Sequence, residues 1–140
     1  MKSVPEDTAK LGPEGTRWYG GPVDRTAASL RVRCAPEDHH VVSELLGVPL
    51  TSGSGSCSLS APDSLSGDLE AQLGWLFSQT TSDLARWREV TTRWPTDVFC
   101  RLFLERNNRG LTLSSEITRK LGDRGIAIGL DIYGVDDAVS

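Results

Sequence analysis

Two stretches of this chain alternate apolar and polar residues, and this period of two constrains the fold more than any other feature. In residues 28–34 the apolar positions are Ala28, Leu30, Val32 and Cys34. In residues 126–133 they are Ile126, Ile128, Leu130 and Ile132. Such alternation is typical of strands that turn one face to the core and the other away from it. We therefore expect both stretches to lie in one sheet, with these apolar residues facing the core.

The segments between these strands complete a mixed architecture. The most apolar run, residues 98–104, predicts a central strand, and residues 57–60 and 111–113 predict short ones. Helical periodicity occupies residues 36–46, 68–94 with a break at 80–82, and 114–121. One apolar face per strand indicates an α+β fold, a mostly antiparallel sheet with helices packed on one face. Strand–helix–strand units at both ends suggest a ferredoxin-like arrangement.

Length and local composition divide the chain into three parts. Residues 1–27 are rich in Pro and Gly and predict an N-terminal leader that is loosely structured or docked on the domain. Residues 28–134 predict a single α+β domain, since domains most often have about 100–150 residues. Residues 135–140 predict an acidic C-terminal tail.

Charge and hydropathy argue against two classes of partner. The net charge is -4, and the arginines between Arg86 and Arg109 are interleaved with acidic residues, so we expect no nucleic-acid binding. No stretch approaches the roughly 20 apolar residues of a membrane helix, and the first residues lack the apolar segment of a secretion signal. We therefore expect no membrane association and a soluble cytoplasmic protein. Cys34, Cys57 and Cys100 are interpreted as reduced, buried thiols.

The residues most often used in catalysis and metal binding form no recognisable motif. His39 and His40 are adjacent, and adjacent helical positions point about 100° apart, so the pair cannot chelate one metal from one helix face. We interpret them as solvated histidines near a helix start and expect no metal and no cofactor. Cys100 lies in the most apolar strand without an evident base, which disfavours nucleophilic catalysis. The sequence thus identifies no catalytic residue and leans against an enzyme.

Two features are candidates for binding. Asp131 and Tyr133 share a strand face with the small residues Ala127 and Gly129, and Arg101 in a neighbouring strand is expected on the same side. These three polar residues predict either a ligand or partner site or, as the favoured interpretation, an Arg–Asp pair on an exposed sheet face. Trp75 lies beside the apolar stripe of its helix, which suits an interface anchor and local packing equally.

An ordered set of segments also resembles a known family. The segments are residues 28–32, 46–49, 68–76, 97–100, 110–114 and 130–133. The stretch from residue 28 to residue 133 resembles the bacterial family called domain of unknown function 4279. Relatives usually carry Trp where this chain has Cys57, and a longer loop with a Pro-Thr pair where it has Pro49-Leu50 and a short Gly/Ser run.

The resemblance implies the fold and leaves the activity open, because the family has no established one. Some members resemble immunity-type genes found beside bacterial toxin genes, which implies a protein partner. The leading hypothesis is therefore a non-enzymatic protein-binding module, immunity-like in role. The alternative is a small-molecule-binding protein or enzyme that uses the open sheet face near Arg101 and Asp131. Self-association into a homodimer, through the sheet edge or Trp75, is a third hypothesis.

Overall fold

The fold is seen in a computed structural model that describes residues 9–11, 17–19, 22–106 and 108–134. In this part of the chain there are seven strands and four α-helices. The strands are β1 (Ala9–Leu11), β2 (Arg17–Tyr19), β3 (Arg25–Val32), β4 (Thr51–Ser52), β5 (Cys57–Ser60), β6 (Thr96–Phe103) and β7 (Ala127–Tyr133). The helices are α1 (His39–Leu46), α2 (Leu69–Gln79), α3 (Leu84–Arg93) and α4 (Ser115–Arg124). Short 3-10 helices at Pro36–Asp38 and Asp63–Leu65 lead into α1 and α2.

Five of the strands form one sheet, in the order β4-β5-β3-β6-β7. Every neighbouring pair is antiparallel except β6 and β7, which are parallel and joined by α4. The α+β class and the mostly antiparallel sheet are therefore confirmed. The elements from β3 to β6 follow a strand–helix–strand–strand–helix–helix–strand succession. With α2 and α3 together in place of the second helix, it is compatible with a ferredoxin-like arrangement, with β7 added at one edge.

Local sequence explains where the helices begin and end. The carboxylate of Asp68 accepts a hydrogen bond from the Ala71 N–H at 3.0 Å, and that of Asp83 accepts one from the Ala85 N–H at 2.9 Å. The predicted break between α2 and α3 is confirmed, and Pro95 follows the end of α3. The longest helix, α2, has 11 residues, and no helix in the described residues has the length and apolar character needed to cross a membrane.

The core lies between one face of the sheet and the helices. The sheet contributes alternate residues of its two central strands: Ala28, Leu30, Val32, Val98, Cys100 and Leu102. The helices contribute their apolar stripes: Val42, Leu46, Leu73, Leu76, Trp87, Val90, Ile117 and Leu121. All three cysteines are buried, as the sequence predicts.

The prediction that all four isoleucine and leucine residues of the last strand face the core is wrong. Ile126 is buried, but Ile128, Leu130 and Ile132 are 36%, 54% and 56% exposed. The register pairs these three with core residues of β6, so they do point to the helix side of the sheet. They are exposed because β7 is the edge strand and the helices cover this edge incompletely. Alternation thus predicted the side correctly and the burial incorrectly.

Two other boundaries differ from those predicted. Residues 111–113 form no strand, and the neighbouring Gly110 makes only an isolated bridge to Pro22. β3 begins at Arg25, inside the segment interpreted as a leader, and β1 and β2 pair with each other as an antiparallel hairpin. The leader is described only in part, and the predicted acidic tail at residues 135–140 lies outside the described residues.

Candidate functional site

The open face of the sheet brings together three of the four predicted binding residues. Arg101 and Asp131 are direct partners in the β6–β7 register. The Tyr133 hydroxyl donates a hydrogen bond to Oδ2 of Asp131 at 2.7 Å. This bond to a carboxylate is the main cause that raises the pKa of Tyr133, and the Arg101 cation acts in the opposite direction. Arg101, Asp131 and Tyr133 therefore form one polar group, called here the open-face cluster, on the side of the sheet opposite the described helices.

Aromatic rings and guanidinium groups occupy the rest of this face. The rings of Phe103 and Tyr133 stack with their centroids 5.0 Å apart, and Arg25 lies 4.5 Å over Phe103. Further along the same face Arg31 lies 4.2 Å over Phe99. Such contacts contribute about 0.5–1 kcal/mol each at exposed positions. The open face is thus a layer of stacked planar groups.

Trp75, the fourth predicted residue, lies apart from this cluster. It is a residue of α2, half-buried against the core. Because α2 packs on the helix side of the sheet, Trp75 and the Arg101 cluster are on opposite sides of the molecule's central layer. The structure therefore does not join Trp75 to the sheet-face residues.

The outer edge of β7 is a second candidate surface, which sequence reasoning missed. No other strand in the described residues pairs with this edge. Natural edge strands are commonly protected by charged residues, proline or short length. β7 has seven residues, and its single charged residue is Asp131, which accepts a hydrogen bond from Tyr133. Its helix side carries the exposed stripe Ile128, Leu130 and Ile132, called here the β7 stripe.

A buried group of sulfur and nitrogen ligands forms a third feature. The Sγ atoms of Cys34 and Cys57 are 3.7 Å apart. These two atoms and one ring nitrogen of His39 all lie within 4.8 Å of one another. His39 is only 8% exposed, so the interpretation of both histidines as solvated is wrong for His39 and right for His40. We call this group the Cys–His cluster.

Strand pairing explains how the Cys–His cluster assembles. The β3–β5 register places Cys57 opposite Val32, and the Cys34 N–H continues the ladder by donating to the Gly55 carbonyl at 3.2 Å. Pro36 then starts the turn that returns the chain over Cys34 and delivers His39 at the first residue of α1. The sequence shows only that Cys34, His39 and Cys57 lie within residues 34–57, because the pairing itself is long-range.

The surroundings of the cluster differ between its two sides. Burial is the main cause that raises the pKa of the Cys57 thiol to about 12, with contributions from the neighbouring Cys34. On the other side His39 lines a cleft of about 1000 Å³. The remaining lining includes polar and acidic residues of the same segment: Glu37, His40, Ser43, Glu44 and Ser52. Of the three cluster residues, His39 is the one that lines this cleft.

Comparison with known proteins identifies a family and no activity. The family model described as Domain of unknown function (DUF4279) matches residues 50–135. This range includes β5, the open-face cluster, the β7 stripe and Cys57, and it excludes Cys34 and His39. Among curated proteins and solved structures, no match to the chain was found.

Proposed function

The chain belongs to the DUF4279 family, and from its surface we propose that it is a non-enzymatic protein-binding module. The observation that carries this proposal is the β7 stripe, three large apolar side chains exposed together along an edge strand. Contiguous apolar surface on a folded domain is costly to leave in water and commonly marks a site where another protein docks.

The free backbone edge beside the stripe defines the partner's chemistry. The outward-facing N–H and C=O groups of β7 have no strand partner in the described residues. An extended segment could add a strand there, with backbone hydrogen bonds for affinity and alternate side chains for specificity. We infer that the partner offers such a segment, with apolar residues at alternate positions to cover Ile128, Leu130 and Ile132.

Several groups that could act in catalysis are unsuited to it, which supports a non-enzymatic role. Burial is the main cause that raises the pKa of Cys57 and that of Cys100 to about 12. Without a bound metal both thiols therefore stay protonated at neutral pH, and a protonated thiol is a poor nucleophile. The hydroxyl of Tyr133 likewise has a raised pKa and favours its neutral form.

The biological setting of the proposal comes from the family resemblance. We propose an immunity-like role in a bacterial cytoplasm, in which the partner is a toxin protein. In this role the edge of β7 would bind the toxin protein and cover part of its surface.

Site-specific photocrosslinking in the native host tests the proposal. A photoreactive amino acid replaces Leu130 in the β7 stripe or, as a matched control, Leu84 of α3, which is 40% exposed. We expect one discrete protein adduct from position 130 and none of that mass from position 84. The Leu130→Asp substitution should weaken binding of the purified adduct partner by at least tenfold, whereas Leu84→Asp should leave it unchanged. Identical adducts from both positions, or none from position 130, would refute docking at β7.

A second candidate function rests on the open-face cluster. The stacked rings of Phe103 and Tyr133 with Arg101 beside them suit a planar, negatively charged small molecule. A thermal-shift screen of such compounds tests this function. A true ligand should lose its shift in Arg101→Ala and keep it in Leu130→Asp, which is the reverse of the pattern expected for the protein partner.

A further inference from the structure

We propose that Cys34, Cys57 and His39 bind one Zn²⁺ ion, with a water molecule as the fourth ligand. This inference is independent of the proposed protein-binding function, because the Cys–His cluster lies between β3, β5 and α1, and β6 separates β3 from the edge strand β7. Zinc in proteins is most often tetrahedral and is held by cysteine sulfur and histidine nitrogen.

The separation of the two sulfurs fits this geometry. A Zn–S bond is about 2.3 Å long, so two sulfurs at a tetrahedral angle lie about 3.7–3.8 Å apart. The Sγ atoms of Cys34 and Cys57 are 3.7 Å apart. A ring nitrogen of His39 is already within 4.8 Å of both. The backbone therefore places two ligands at the distance that the ion requires and the third within reach of a small side-chain adjustment.

The imidazole of His39 supplies an independent reason to expect a ligand. Its Nε2 atom is buried, and no described residue gives that atom a hydrogen-bond partner. Burying a polar atom without a partner is unfavourable, and native proteins do so rarely. Coordination of a metal through Nε2 relieves this cost.

The fourth position is assigned to water because of the cluster's surroundings. In the described residues no further histidine, cysteine or carboxylate joins the group of three. His39 also lines the 1000 Å³ cleft, so one residue of the cluster borders an open space. Three protein ligands with one open position are the arrangement of zinc sites that exchange a water for another molecule.

Two other states of the cluster make different predictions. If the thiols are only small apolar core groups, the protein will bind no zinc. If they form a disulfide, the sulfurs must approach from 3.7 Å to about 2.05 Å, and metal binding will require prior reduction. Working with reduced protein under anaerobic conditions separates these states from the proposed one.

Metal titration of the full chain tests the proposal. Reduced, metal-free protein is titrated with Zn²⁺ in competition with a chromogenic chelator and, separately, with Co²⁺. We expect one ion per chain, and with Co²⁺ the thiolate charge-transfer and intense visible bands of a tetrahedral site. Zinc at about 100 times its Kd should raise the Tm by roughly 5–10 °C. Absence of binding at micromolar zinc, or octahedral cobalt spectra alone, would overturn the proposal.

Matched substitutions locate the site. Cys57→Ser and His39→Gln should each weaken zinc binding about 100-fold or more, since even residues that only support metal ligands matter by 10–100-fold. The controls are Cys100→Ser, another buried thiol, and His40→Gln, the exposed neighbour of His39. Both controls should bind zinc as the original protein does. Loss of binding in His40→Gln with retention in His39→Gln would overturn the assignment, and circular dichroism identifies any variant that fails to fold.

Discussion

Thr26 connects the start of β3 to α2 through a buried network of hydrogen bonds. Its hydroxyl donates to Oε1 of Gln72 at 2.6 Å and accepts from the Gly67 N–H at 2.9 Å. The Gln72 amide donates back to the Thr26 carbonyl at 3.1 Å. Both side chains are buried, so the Thr26 hydroxyl and the Gln72 amide oxygen satisfy each other's hydrogen bonding.

The Thr26→Val substitution should therefore destabilise the protein by about 2 kcal/mol, although valine has nearly the same shape. It leaves Oε1 of Gln72 and the Gly67 N–H without a partner, and an unsatisfied buried group costs about 1–3 kcal/mol. Urea unfolding measures the effect. Thr118→Val, at an exposed position of α4, is the control and should change the free energy of unfolding by less than about 0.5 kcal/mol. Equal effects at the two positions would contradict the importance of this network.

Asp24 gives the protein a pH-dependent contribution to stability. Its carboxylate accepts a hydrogen bond from the Glu105 N–H at 2.6 Å and lies 3.3 Å from Nε of Arg109. The backbone hydrogen bond is the main cause that lowers the pKa of Asp24 below its usual 3.8. A lowered carboxyl pKa stabilises the fold above the unfolded-state value, and this contribution disappears as the pH falls through the folded-state value.

The free energy of unfolding should thus fall more steeply below about pH 4 in the original protein than in Asp24→Asn. The variant should be less stable at neutral pH, and the two curves should converge in acid. Urea unfolding over a pH series tests this. Asp63→Asn, at an exposed position, is the control and should run parallel to the original protein. Parallel curves for Asp24→Asn would show that Asp24 carries no such linkage.

At the scale of elements, Glu70 of α2 fixes the start of α4. Its carboxylate accepts hydrogen bonds from both the N–H and the hydroxyl of Ser114. The Ser114 Oγ in turn accepts from the Ile117 N–H at 3.1 Å, as the N-cap of α4. One residue therefore caps its own helix and attaches that helix to another.

This double role should make Ser114→Ala more costly than the loss of an ordinary cap. We expect about 2 kcal/mol, compared with about 1 kcal/mol for Asp83→Ala, which removes the cap of α3. A double-mutant cycle with Glu70→Ala should give a coupling energy of at least about 0.5 kcal/mol. Additive effects of the two substitutions would mean that the hydrogen bond between the Ser114 hydroxyl and the Glu70 carboxylate contributes no stability.

Element types were predictable here because they depend on local periodicity. The period of two in residues 28–34 and 126–133 and the helical stripes of residues 68–94 identified strands and helices correctly. Burial at β7 was not predictable, because an edge strand and a central strand can carry the same alternation. Residues 111–113 alternate in the same way but form no strand, because a short alternating segment becomes a strand only when the fold places another strand beside it.

At the scale of the whole molecule, the Arg101–Asp131 pair and the Cys–His cluster differ in how well the sequence alone predicts them. The proximity of Arg101 and Asp131 follows from two strands lying side by side in a register that sequence could suggest but not fix. The Cys–His cluster requires that residue 57 pair near residue 34 and that the turn at Pro36 bring His39 back over both. Such long-range pairing is decided by the complete core, and no local pattern encodes it.

The same exposed edge predicts the behaviour of the purified protein. Without its partner, β7 can pair with β7 of a second copy, because an apolar edge strand is self-complementary. We expect weak, concentration-dependent self-association in sedimentation velocity experiments. Leu130→Lys should abolish it by placing a charge in the β7 stripe, whereas Leu84→Lys on α3 should not. An added peptide that pairs with β7 should dissociate the original protein, since partner and second copy compete for one edge. Self-association that persists in Leu130→Lys would mean that another surface mediates it. This result would contradict the assignment of β7 as the binding edge.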